Sequence, residues 1–218
     1  MGLAAEGAKL ALVGRREEAL AEVGRAALVA GVVAHSYAAD LSVDTEIERI
    51  AEGVRRHFGG VDVLVHAAAV ISTGRLEDAS PQELDRQFAT NVRAPYALTR
   101  ALLPMVRSRR GQIVFINSWA GLNARGGAGQ YAATKHALKA IADSLREEVN
   151  SEGLRVLSVF PGRTATRMQE AIHAIEGKEY LPERLQQPED VAAMVVYALR
   201  LPRTTEVTEI RMRPLIKP

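Results

Sequence analysis

Apolar residues fall in short unbroken runs rather than in strict alternation, and segments with helical spacing separate those runs. Ala8 to Val13 (AKLALV), Val32 to Tyr37, Val61 to His66 (VDVLVH), Gln112 to Ile116 and Leu154 to Phe160 (LRVLSVF) read as strands, with Val207 to Met212 as a final short one. Gly2 to Glu6 reads as the end of a helix capped by Gly7. Further helices are predicted over Glu17 to Val29, Val43 to Phe58 with Ser42 as cap, from Gln130 onward, and from Pro188 to about Leu201. Ser80-Pro81 with Glu83 starts a long helical region reaching about Arg109, which Pro95 and Pro104 should bend or interrupt. Strands buried on both faces and joined by helices predict an α/β fold: a Rossmann-like, doubly wound parallel sheet with helices on both faces. Such a sheet binds ligands at the carboxyl ends of its strands. Asp40, the alanines after His66, Ser118 and Pro161-Gly162 all lie at such ends.

The length of 218 residues suits one domain over 1–218, and 47% apolar residues can fill its core. A net charge of +2 is too small to point to nucleic acid, and RSRR at Arg107–Arg110 reads as a cationic helix C-terminus. The chain has no cysteine, which removes disulfides and thiolate metal ligands and fits a cytoplasmic protein. The five histidines lack zinc-type spacing, so no metal is expected. No signal-peptide pattern and no apolar run of membrane-spanning length is found.

The densest chemistry lies in Gly111 to Lys139, GQIVFINSWAGLNARGGAGQYAATKHALK. A strand leads to Ser118, a loop of small residues follows, and Tyr131 and Lys135 open a helix four residues apart, on one face. A strand-end hydroxyl facing a Tyr/Lys pair can carry acid–base chemistry. Taken singly, each could be a packing or solvated residue. Asn91 by itself could be a local backbone hydrogen-bonder at a helix bend, and His66 suits packing or cofactor contact.

Together, YAATK thirteen residues after the serine of INSWAG, Asn91 in FATNVRAPYALT and the segment FPGRTAT resemble the short-chain dehydrogenase/reductase family over essentially the whole chain. The resemblance implies hydride transfer between a nicotinamide cofactor and a ketone, aldehyde or alcohol. Tyr131 would be the proton donor or acceptor, and Lys135 would lower its pKa and bond the nicotinamide ribose. Ser118 would hold the substrate oxygen, and Asn91 would position a relay water. Asp40 and Leu41 would contact adenine, Ala67 and Ala68 would lie against the cofactor beside Pro161 and Gly162, and Thr164 and Thr166 would hold the carboxamide. Arg15 and Arg16 suit a 2′-phosphate, which favours NADP over NAD. The segment Arg163 to Gln187 would cover a small carbonyl or alcohol substrate with a short amphipathic helix. A homodimer or homotetramer is implied.

The chain departs from the family pattern twice. His66-Ala67-Ala68-Ala69 stands where Asn-Asn-Ala-Gly is usual, which removes bracing side chains but still allows close backbone approach. The family's first strand and its Thr-Gly-x-x-x-Gly-x-Gly loop are not found, since Gly2, Gly7 and Gly14 make no dinucleotide fingerprint. Three expectations follow: an internal methionine taken as the start of an ordinary enzyme, flanking strands that close against each other, or a catalytically silent scaffold that binds no cofactor.

Overall fold

The computed structural model describes residues 1–216. Its six strands are all parallel and lie in two pieces. Strands β1 (Leu10–Gly14) and β2 (Ala34–Ala38) pair with each other. Strands β3 (Val63–His66), β4 (Gln112–Ile116), β5 (Arg155–Pro161) and β6 (Glu209–Met212) form the second piece, in that order. The helices are α1 (Gly2–Ala5), α2 (Glu17–Val29), α3 (Asp44–Phe58), α4 (Pro81–Phe88), α5 (Ala94–Ser108), α6 (Gly129–Val149), α7 (Arg167–Ile175) and α8 (Pro188–Arg200). This is the parallel Rossmann-like architecture that the unbroken apolar runs predict.

Burial separates the two pieces. Only the last residue of β4 and of β5 escapes full burial, as expected of strands covered on both faces. No residue of β1 is fully buried, and Val65 of β3 is 37% exposed. No ladder among the described residues joins β1 to β3, so these two strands do not close against each other. Side chains connect the pieces instead. Tyr37 and Ala39 at β2 share one apolar cluster with Ile47, Ile50 and Val54 of α3, Leu98 and Leu102 of α5, and Phe115 of β4.

Local sequence explains most boundaries. Ser80 accepts a bond from Glu83 N, and Pro81 opens α4 where its missing N–H costs nothing. The long helical region is not interrupted: it runs from Pro81 to Ser108 through a π-helical turn over Ala89–Arg93, just before Pro95, while Pro104 sits inside α5. Ser42 does not cap α3. Its N–H and hydroxyl both go to Asp40 Oδ1, at 2.9 and 2.7 Å, in an Asx-type turn, and the helix starts at Asp44. Arg155 closes the end of α8: its guanidinium donates to the carbonyls of Leu199, Leu201 and Thr205 at 3.1, 3.1 and 2.9 Å. Arg107, in the last turn of α5, pairs with Glu152. No helix among the described residues is long and apolar enough to cross a membrane.

Candidate active site

The β4–α6 connection brings three expected residues to one rim. After Asn117, Ser118 heads a tight turn over Trp119–Gly121. Asn117, which the sequence reading passed over, builds this corner. Its Oδ1 accepts Ser118 N at 2.9 Å, and its Nδ2 donates to Lys135 O at 3.1 Å. One buried amide thus ties the serine loop to the turn of α6 that carries the lysine. Gly121 has to be glycine here, because a Cβ would lie 2.5 Å from Asn117 Oδ1 and 2.9 Å from Lys135 O. The position of Asn117 beside Ser118 in INSWAG was the available signal. It was missed because only the hydroxyl looked reactive.

Tyr131 and Lys135 share a face of α6 as their spacing predicts, and both are buried. Lys135 Nζ lies 5.7 Å from the centre of the Tyr131 ring. Burial lowers the pKa of Lys135 from 10.5 to about 8. Its one described hydrogen bond is a long one, 3.3 Å to Ile116 O. An ammonium has three donors, so this buried cation has bonding capacity to spare for an oxygen-rich ligand. The expected lowering of the Tyr131 pKa is not found in the chain by itself. Burial raises it, with a side-chain interaction from Ser118 acting in the opposite direction. Lys135 sits by the ring without bonding the phenol oxygen.

Asn91 occupies the π-helical turn and is almost wholly buried. Its Oδ1 accepts Val70 N at 2.8 Å, while Nδ2 donates to Val70 O at 2.8 Å and to Thr134 Oγ1 at 3.1 Å. Thr134 in turn donates to Tyr131 O at 2.8 Å. The side chain is therefore a clamp between the loop after β3 and α6, with both Nδ2 hydrogens donated and one bond accepted at Oδ1. Thr134 was a second omission: it lies between Tyr131 and Lys135 and looked like filler.

The remaining candidates line the strand ends. Ala67 and Ala68 follow β3 exposed, with no bulk above them. His66 turns to packing. Its Nε2 is 2.7 Å from Thr99 Oγ1, its ring stacks on Phe115, and burial lowers its pKa to about 3, so it is neutral. Asp40 is held below the ordinary carboxyl range, chiefly by its bonds from Ser42 and further by the nearby charge of Arg15. Leu41 packs on the main apolar cluster. Arg15 and Arg16 are exposed, and among the described residues neither makes a salt bridge or side-chain hydrogen bond. Pro161 and Gly162 end β5. Thr164 Oγ1 donates to Gly162 O at 3.2 Å, and Thr166 caps α7.

The donors available suit a nicotinamide nucleotide in its ribose half: a buried, under-bonded ammonium, small residues at a strand end, and a hydroxyl facing a phenol. No glycine-rich cradle for a pyrophosphate is present among the described residues.

Residues 1–177 match a family model described as short chain dehydrogenase. An uncharacterized oxidoreductase of Staphylococcus epidermidis is 29% identical over 214 residues, covering 98% of this chain and 89% of the relative. The dehydrogenase/reductase SDR family member 7B of Bos taurus is 37% identical over 183 residues, covering 81% of this chain and 56% of the relative. Among solved structures, an alcohol dehydrogenase from Thermococcus sibiricus complexed with 5-hydroxy-NADP superposes with a TM-score of 0.90 at 25% identity, covering 100% of this chain and 91% of its own. A metagenomic short-chain oxidoreductase in complex with NADP gives a TM-score of 0.84 at 32% identity, covering 99% and 90%.

Proposed function

The chain belongs to the short-chain dehydrogenase family and is an oxidoreductase of that type, and from this premise we propose that it interconverts a ketone or aldehyde with an alcohol using NADP(H). The observation that carries the proposal is the juxtaposition of Ser118, Tyr131 and the under-bonded ammonium of Lys135 at one sheet rim. Bound NADPH supplies the hydride. The protein's part is proton handling and alignment. Ser118 holds the carbonyl oxygen, and Tyr131 gives that oxygen its proton, or takes the proton back in alcohol oxidation. Burial raises the phenol's pKa, so in the chain by itself Tyr131 is neutral and carries the proton that it would give. Lys135 binds ribose oxygens with its spare donors, and its charge favours the phenolate once the proton has left.

Asn91 acts through its main chain in this scheme. With its amide committed to Val70 and Thr134, the relay water would rest on its main-chain carbonyl in the π-helical turn. Arg15 and Arg16 would bind the 2′-phosphate, and the NADP carried by two similar solved structures favours that choice. Asp40 and Leu41 would face adenine, Ala67 and Ala68 would lie against the cofactor next to Pro161 and Gly162, and Thr164 and Thr166 would hold the carboxamide. A cytoplasmic homodimer or homotetramer belongs to the same reading. The apolar hollow lined by Phe88, Val92, Tyr96 and Ile141 on α4 to α6 offers a surface for it.

The split between the two sheet pieces favours a second reading, a family fold that acts as a silent scaffold. Calorimetric titration with NADPH and NADH separates the two. Saturable NADPH binding, followed by NADPH oxidation with some member of a carbonyl panel, is expected for the enzyme. Absence of both supports the scaffold.

A further inference from the structure

All six strands run parallel, and within each sheet piece their starts are level: Leu10 pairs with Ala34, and Val63 with Gln112, which pairs with Arg155. The connections from helix to strand therefore lie at the end of the sheet opposite Ser118 and Tyr131. One strip of that end has a mixed surface. From Ala26 to Ala34, across the end of α2 and the turn into β2, there is no polar side chain. Leu28, Val29 and Val33 are 73%, 91% and 51% exposed. His35, two residues past Val33, stacks on His57 in the last turn of α3, with ring centres 4.1 Å apart. The apolar turn thus adjoins the end of α3.

Beyond it the strip is cationic. The last turns of α3 and α5, with the connections into β3 and β4, carry Arg55, Arg56, Arg107, Arg109 and Arg110 against one acid, Asp62. The whole chain has a net charge of only +2. Arg109 lies over Gly60, where a Cβ would be 2.4 Å from its Nε, so the two connections touch. Arg107 pairs with Glu152. Arg55, Arg56, Arg109 and Arg110 are exposed, and among the described residues they make no salt bridge or side-chain hydrogen bond.

Arg110 sharpens the picture. Its N–H donates to Arg107 O at 2.9 Å and Gly111 N to Val106 O at 2.8 Å, the paired bonds that close a helix around a left-handed residue. That residue is ordinarily glycine, as Gly59 is after α3. Here it is an arginine at φ +48°, the one non-glycine residue of positive φ among the described residues. Arg107 already meets the helix dipole in the last turn of α5. A cation held where its side chain strains the backbone points to a use for the charge.

We propose that this strip docks on an anionic lipid surface: Leu28, Val29 and Val33 enter the headgroup boundary, and the arginines at the ends of α3 and α5 meet the headgroup charges. Nucleic acid would engage the cations but offers no apolar layer for the three exposed side chains. The docked chain turns its Ser118–Tyr131 rim away from the bilayer, toward water. The docking does not rest on the oxidoreductase reading.

The test mixes the full chain with vesicles of phosphatidylcholine and phosphatidylserine, or of phosphatidylcholine alone, and reads the bound fraction by co-sedimentation. Binding is expected with phosphatidylserine only and should fall as salt is raised. Arg110→Gly should weaken it about fivefold, the factor for one arginine near an anionic surface. Its urea midpoint should hold or rise, because glycine relieves the left-handed backbone. Leu28→Ser with Val29→Ser should weaken binding by about 10- to 100-fold, with the fold intact because both side chains are exposed in it. No binding to phosphatidylserine vesicles overturns the proposal, as does equal binding to phosphatidylcholine alone or binding that either variant leaves unchanged. An Arg110→Gly protein that unfolds more easily than wild type overturns it too, since the arginine then serves the fold. Capture by double-stranded DNA as tight as by vesicles, and undiminished by the Leu28 and Val29 changes, assigns the strip to nucleic acid instead.

Discussion

Replacing Lys135 by methionine should make the protein more stable while removing its proposed activity. The buried ammonium has one long hydrogen bond and no carboxylate partner among the described residues. Burial takes its pKa from 10.5 to about 8, so the folded chain loses the proton at lower pH than the unfolded chain. Between those values the unfolded state holds more protons, and stability rises with pH; below about 8 both states are charged and the contribution is flat. At ~1.4 kcal/mol per pH unit, the drop corresponds to roughly 3 kcal/mol by which the charge weakens the native state at pH 7. Methionine fills the space with an unbranched apolar chain and forfeits about 1 kcal/mol of net hydrogen bonding. The expected gain at pH 7 is then about 2 kcal/mol, or a Tm rise of roughly 4–8 °C for a chain of this size. Urea unfolding of both proteins at pH 7 and above pH 10 measures it, and at the higher pH, where the charge penalty is gone, the gain should vanish or reverse to a loss of about 1 kcal/mol. A Lys135→Met protein less stable than wild type at pH 7, or a gain that does not shrink with pH, would refute the reasoning.

Three further outcomes are expected. Asn117→Ala leaves Ser118 N–H without its partner and removes a second acceptor–donor pair at Lys135 O, so urea unfolding should show a loss of about 2–4 kcal/mol. Arg155→Met strips the bonds from the carbonyls of Leu199, Leu201 and Thr205, and amide exchange at the end of α8 should accelerate more than exchange in α5. The double change Arg15→Ala with Arg16→Ala should weaken NADPH binding by about 10- to 100-fold in calorimetry and leave NADH binding unchanged, since only the former offers a phosphate to the two guanidinium groups.

Parallel strands that are buried on both faces reveal themselves by continuous apolar runs, and β4 and β5 were legible to within a residue or so for that reason. β1 and β2 begin two residues later than expected: the paired register starts at Leu10 and Ala34, and before it only Val33 O, accepting Leu10 N at 2.8 Å, links the two segments. A bend at Asn91 was open to sequence reading, since Thr90, Asn91 and Val92 are poor helix formers, but its π-helical form was not, because the clamp of Asn91 on Val70 and Thr134 is tertiary. Spacing on one helix placed Tyr131 and Lys135 together. Spacing could not show that the bulk of burial acts on both, raising the phenol and lowering the ammonium, because neighbours distant in sequence produce it. Asn117 and Thr134 were overlooked for a related reason: their worth lies in which main-chain groups they reach.

The open edges of β1 and β3 bear on cofactor binding. Each presents a row of backbone groups without a ladder partner among the described residues, in a fold where such edges are ordinarily paired or covered. The residues proposed for proton handling come from the turn after β4, the π-helical turn between α4 and α5, and α6, on the continuous side of that division. The groups proposed for adenine and phosphate, Arg15, Arg16, Asp40 and Leu41, come from the β1–β2 piece. Hydride chemistry requires both sides to hold one nucleotide at once.

The most direct test of the central claim is kcat/KM for NADPH oxidation by Tyr131→Phe with an accepted carbonyl compound, set beside NADPH affinity from calorimetry. Loss of the phenol hydroxyl should lower kcat/KM by about 10²–10⁴-fold and leave NADPH affinity unchanged. Turnover equal to wild type in Tyr131→Phe would contradict the account.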